Sequence, residues 1–183
     1  MEDLTRGAQE LQTCLVAWRR RLHTLAEVGM ELPRTRGFLE DVLKEMGLVP
    51  RHLATGLVAD LEGVRPGGTL MLRSDMDALP LAEETGLPFA CPEGAMHACG
   101  HDAHMAMLLG AAALLVERRE ELSGTVRFLF QPGEEQGRGA AALIAAGALW
   151  GVDGVCGLHV GRLFPELASG QVAPFLVYAG APA

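Results

Sequence analysis

The 183-residue sequence predicts an α/β domain with a mixed, largely parallel sheet flanked by helices on both faces. Segments with helical hydrophobic spacing alternate with short, nearly continuous apolar runs. The unusual polar residues fall where those runs end, the edge at which open α/β sheets build their sites. With 49% hydrophobic and 21% charged residues, the chain reads as one globular domain, residues 1–183, large enough to bury a single core.

Each element has its own signal. Leu4, Leu11, Leu15, Trp18, Leu22 and Leu25 recur at three, four and seven residues and predict one amphipathic helix that Pro33 closes off. A second helix starts near Thr35, buries Phe38, Val42, Leu43 and Met46, and stops at Gly47. Thr55 to Leu61 and Thr69 to Arg73 read as two strands joined by the turn-rich stretch from Glu62 to Gly68. Met105, Leu108, Leu109, Ala112, Leu115 and Val116 restore helical spacing. Thr125 to Phe130 follows as a strand, Gly139 to Ala148 as an Ala-rich helix, and Gly154 to His159 as a further buried strand.

Charge and cysteine usage narrow the partners. Fifteen Lys and Arg against 23 Asp and Glu give a formal net charge of -8, which disfavours nucleic acid and anionic membranes. No apolar run reaches membrane-spanning length, and the residues before Arg19-Arg20-Arg21 hold no signal-peptide core, so the expected compartment is the cytoplasm. Cys14, Cys91, Cys99 and Cys156 lack paired spacing, which argues against a disulfide framework or a closed structural zinc site.

The densest chemistry lies in Met96-His97-Ala98-Cys99-Gly100-His101-Asp102-Ala103-His104, with a thiol, three imidazoles and a carboxylate in nine residues. If the stretch forms an extended turn, Cys99 and His101 project to one side and reach one ion at about 2.0 to 2.3 Å. A Cys-x-His pair alone also arises without a metal. Asp75 and Asp77, Glu134 and Glu135, and His159 each follow a predicted strand. Any one acidic pair is equally a solvated turn, and Glu134-Glu135 equally a helix-cap pair. Beside a dication, two adjacent carboxylates can instead divide into a ligand and a base that deprotonates water.

The blocks Arg73-Ser74-Asp75-Met76-Asp77-Ala78-Leu79-Pro80, Met96 to His104, Phe130-Gln131-Pro132-Gly133-Glu134-Glu135 and Gly157-Leu158-His159-Val160 resemble, in order and spacing, the metal-dependent aminoacylase and carboxypeptidase-like amidohydrolases. Hippurate hydrolases and auxin-conjugate hydrolases belong to that group. The likeness is strong from Leu70 to Val160 and weak around His23, Glu27 and Thr35. It implies a three-layer zinc-exopeptidase-like domain, with Cys99, His101, Glu135 and His159 as metal ligands, Glu134 as general base and Asp77 as a carboxylate orienting a ligand. It implies one or two divalent ions of zinc, manganese, cobalt or nickel, and N-acyl amino acids or small peptide-like molecules as substrates. It assigns no role to His97, Asp102 or His104, although Asp102 fits a helix cap.

Members of that group are about twice as long, with an inserted lid domain and a later metal-binding His. The expectation is therefore a truncated catalytic domain without its lid, whose tail from Pro174 to Ala183 does not resemble a lid entry. An exposed sheet edge or that apolar tail would favour homo-oligomers. The alternative to an amidohydrolase is a catalytically inert metal-binding or protein-interaction remnant of one. No Gly-x-Ser-x-Gly elbow, phosphate-binding loop or Gly-x-Gly-x-x-Gly fingerprint supports an unrelated hydrolase or nucleotide-binding domain.

Overall fold

The computed structural model describes residues 2–161; the Pro174 to Ala183 tail lies outside them. The order is α1 (Glu2–Glu10), α2 (Gln12–Thr24), α3 (Pro33–Glu45), β1 (Arg51–Leu53), β2 (Gly56–Glu62), β3 (Arg65–Asp75), α4 (His101–Glu117), β4 (Ser123–Gln131), α5 (Gly139–Ala145) and β5 (Gly154–Gly157). A short 3-10 turn, Arg119–Glu121, joins α4 to β4. No helix among the described residues is long and apolar enough to cross a membrane.

The five strands form one mixed sheet in the order β1-β2-β4-β3-β5. β1 with β2 and β2 with β4 are antiparallel, whereas β3 runs parallel to both β4 and β5. Period-two alternation sends each strand's side chains to both faces. Leu57, Ala59, Leu61, Phe128 and Phe130 pack with Leu22, Leu39, Leu43, Met105 and Leu109 of α2, α3 and α4 in the main core. Val58, Met71 and Leu129 point the other way, onto Leu143 and Ala148 at α5. Helices thus cover both faces, as an α/β three-layer domain requires.

Several sequence expectations shift. The amino-terminal helix is two helices broken at Leu11, and it ends at Thr24, not at Pro33. Pro33 instead opens α3, where its missing N–H leaves no helical bond unmade. Gly47, at φ 80°, closes α3 as the spacing predicted: Gly47 N–H donates to the Lys44 carbonyl and Leu48 N–H to that of Leu43. The expected turn from Glu62 to Gly68 is mostly strand, since β3 begins at Arg65 with a register shift before Thr69. β2 and β3 are consecutive yet unpaired, because β4 inserts between them. β5 is largely exposed, not buried, because it lies at the sheet edge. Gly110 lets α2 approach α4 closely: a Cβ there would fall 2.6 Å from the Leu15 side chain.

Candidate metal centre

β3, β4 and β5 share one direction, so their carboxyl ends meet at one edge. Asp75 ends β3 opposite Gln131, the last residue of β4, and Gly157 ends β5 opposite Arg73. Beyond these ends come Asp77, the turn from Pro132 to Gly137, and His159. α4 points its first turn at the same edge.

Gly100 is the residue that starts α4, and it does so at φ 87°. The Cys99-Gly100-His101 stretch is therefore a left-handed turn into a helix and not the extended turn expected from sequence. A Cβ at Gly100 would come 2.6 Å from the Val160 Cγ2. His101, fully buried, donates from Nδ1 to the Asp77 carbonyl at 2.7 Å, which leaves its Nε2 as the lone-pair nitrogen. That Nε2 is buried without a hydrogen-bond partner. Around it stand Glu135 Oε1 at 3.7 Å, Glu134 Oε2 at 3.8 Å and Asp75 Oδ1 at 3.7 Å.

His159 is arranged in the same way. Its Nδ1 donates to the Val160 carbonyl at 2.7 Å, and its Nε2 faces the Cys99 sulfur at 3.4 Å. Donor atoms of Cys99, His101 and His159 lie within 4.8 Å of one another, as do those of His101, Glu134 and Glu135. Burial pushes the Cys99 thiol up to about 11, and the Glu135 and Glu134 carboxylates push it the same way. A buried imidazole whose Nε2 has no hydrogen-bond partner, a thiol–imidazole pair and two carboxylates are a donor set that a divalent ion fits. Borderline ions such as zinc, cobalt or nickel, and manganese, accept this mixture.

Asp77 receives the Glu134 and Glu135 N–H groups on its two carboxylate oxygens at 3.0 and 3.1 Å. One residue thus grips the two-glutamate turn through its side chain and the His101 ring through its backbone. Burial raises the Asp77 carboxyl, against the lowering effect of those two N–H groups. Burial also acts to raise Asp75, but His104, His101 and Arg73 outweigh it and leave the carboxyl at about 2.

The N-cap position of α4 is Gly100, but Asp102 Oδ1 accepts the first-turn Ala103 N–H at 2.9 Å. Its Oδ2 receives Arg19 Nε at 2.8 Å and faces His23 Nδ1 at 2.8 Å, while His23 Nε2 faces Glu83 Oε2 at 3.0 Å. This second polar cluster, tying α2 to the first turn of α4, was missed in the sequence because His23 and Glu83 lie far along the chain from Asp102. His97 lies beside it, buried, with neither ring nitrogen hydrogen-bonded. A pocket of about 360 Å³ opens here, lined by Arg19, His23, Glu83, His97, Cys99 and Gly100 among others. Cys14, Cys91 and Cys156 are free thiols away from the centre.

The chain is similar in sequence and fold to known proteins. Residues 71–174 match the model of peptidase family M20/M25/M40. The chain is 47% identical over 165 residues to the N-acetyl-L-cysteine deacetylase of Bacillus subtilis, covering 88% of this chain and 39% of the relative. It is 41% identical over 175 residues to the N-acyl-L-amino acid amidohydrolase of Geobacillus stearothermophilus, covering 93% and 46%. The Bacillus subtilis YXEP protein, a dinuclear metal binding peptidase, superposes with a TM-score of 0.81 at 40% identity, over 86% of this chain and 45% of that one. The chain spans less than half the length of these curated relatives.

Proposed function

The chain belongs to peptidase family M20/M25/M40, and from that premise we propose that it serves the hydrolysis of amide bonds in N-acyl amino acids. The reading rests above all on the His101 Nε2, buried without a partner between a thiol–imidazole pair and a pair of carboxylates. In it, Cys99, His101, Glu135 and His159 would hold one or two divalent transition-metal ions. Such an ion supplies Lewis-acid polarisation of the scissile carbonyl and lowers the pKa of water toward neutrality.

The protein's own groups do the rest. Glu135 lies beside the thiol, where its carboxylate helps push the Cys99 thiol up, and its side chain is 24% exposed. Glu134 has the more exposed side chain, at 41%. That difference supports a reading with Glu135 as ligand and Glu134 as the base that takes a proton from water and passes it to the leaving amine. Asp77 keeps both carboxylates in place by gripping their backbone, and Asp77 and Val160 carbonyls fix the tautomers that point both Nε2 atoms inward. Acyl amino acids match the deacetylase and amidohydrolase activities in the relatives' names.

The test is metal analysis paired with an assay on hippurate and N-acetyl amino acids. Cys99→Ala and His101→Ala should lose the ion. Glu134→Gln should keep it and lose about 10² to 10⁴ in rate, the range for removal of a general base. Loss of the ion from Glu134→Gln would make Glu134 a ligand and overturn the assignment of roles.

A further inference from the structure

His104 has no part in the function just described, yet it is buried among the site residues. It follows His101 by three positions on α4 and is 2% exposed. Its ring stands edge-on to that of His159, centroids 4.5 Å apart, and tilted to that of His101 at 5.4 Å. Distance alone groups His104 with Asp75 and His101 as three potential metal donors. The hydrogen bonds say otherwise. Val160 N–H donates to the His104 Nε2 at 2.9 Å, so that nitrogen carries the lone pair and it is already used. The proton is on Nδ1, which donates to Asp75 Oδ1 at 2.6 Å.

The chain of contacts continues outward. Arg73 Nη1 donates to Asp75 Oδ2 at 2.8 Å, and Arg73 Nε and Nη2 donate to Gln131 Oε1 at 3.0 and 2.8 Å. Asp75 is thereby fixed at the end of β3, and it fixes the His104 ring in turn. At the inner end, the peptide group that His104 holds is the one joining His159 to Val160. The Val160 carbonyl is in turn the acceptor for His159 Nδ1.

We propose that His104 is a positioning residue: by accepting the Val160 amide at Nε2 it sets the His159 segment, and so aims the His159 Nε2 at the site shared with Cys99 and His101. This inference rests on the metal-centre reading above. An interior carboxylate–imidazole pair is used here to place a ligand's backbone, without contact to the ion itself. Partners that orient metal ligands are worth about 10- to 100-fold in metal affinity.

Two substitutions separate the nitrogens of His104. In His104→Gln the amide oxygen reaches about where Nε2 was and can still accept the Val160 N–H. In His104→Asn the amide nitrogen replaces Nδ1 and can still donate to Asp75, but nothing reaches Val160. Cobalt(II) affinity, measured by competition with a chelator on the full chain, should fall about 10- to 100-fold in His104→Asn and remain near wild type in His104→Gln. In a His159→Ala background, His104→Asn should cause no further loss, because its effect passes through His159. Cobalt(II) absorption should keep the Cys99 thiolate band in His104→Asn while the ligand-field bands change. On the unsubstituted chain, nitrogen NMR should show His104 protonated at Nδ1 and unchanged by zinc, whereas the His159 Nε2 resonance moves.

Equal losses with and without His159, an unaffected His104→Asn, or a zinc-induced change at a His104 nitrogen would each overturn the proposal. If cobalt binding requires Cys99 and His159 but not His104, only this inference fails. If binding ignores Cys99 as well, the metal-centre reading fails and the inference falls with it.

Discussion

His97 carries a proton equilibrium set by its surroundings. Burial pushes its imidazole down to about 4 from the ordinary 6.5; His23 and His101 act in the same direction and Asp102 opposes them. The unfolded chain protonates this ring below pH 6.5, while the folded chain resists until about pH 4. Stability is therefore full above the unfolded value and declines as the pH falls between the two, by about 3 kcal/mol at most. Urea unfolding of the metal-free chain at stepped pH should show that decline, and His97→Gln should flatten it. An unchanged slope in His97→Gln would place the effect on another group. Glu134 and Glu135 illustrate a second lesson at this scale. They are adjacent in sequence and identical in type, and only the stronger influence of Glu135 on the Cys99 thiol and the unequal exposure of their side chains tell them apart.

The first turn of α4 is the element that brings the centre together. It supplies His101 and His104 to the centre, starts just after Cys99, and sends Asp102 to the α2 cluster. The turn depends on Gly100 in two ways, through its φ of 87° and through the closeness of Val160. A left-handed conformation costs a non-glycine residue about 1–2 kcal/mol, and a Cβ here would also push Val160 away. Gly100→Ala should lower the unfolding free energy by at least about that amount and weaken metal binding, because Val160 carries His159 with it. Thermal unfolding and chelator competition measure the two effects separately. Metal binding intact in a destabilised Gly100→Ala would show that the Val160 segment accommodates the methyl group without moving His159.

At the scale of the whole molecule, the sheet has an open side. β5 pairs only with β3 among the described residues, and Val155 on it is 57% exposed, with Leu158 just beyond and Leu70 on β3 also exposed. Unpaired strand edges with apolar side chains recruit other chains. Sedimentation velocity under reducing conditions should show association that grows with concentration, and Val155→Lys should shift the chain toward monomer. A chain that stays monomeric at high concentration would show that this edge does not self-pair.

The sequence alone determined the fold class and most elements, because hydrophobic period is a local property: α4, β2, β4 and α5 fall within a few residues of where the spacing puts them. It also drew attention to Cys99 and His101 by the density of potential ligands and to Glu134, Glu135 and His159 by their places after predicted strands, while only the family resemblance gave them roles. Strand order was not legible there. The insertion of β4 between β2 and β3 arises from pairing between segments more than fifty residues apart, which leaves no local trace. Nor did spacing show that His104 is occupied by Asp75 and Val160, that Asp102 serves Arg19 and His23, or that His97 is without a partner. Those roles are fixed by which groups meet in the folded chain. A hydrogen bond depends on distance and direction in space, and the order of residues along the chain specifies neither until the sheet has formed.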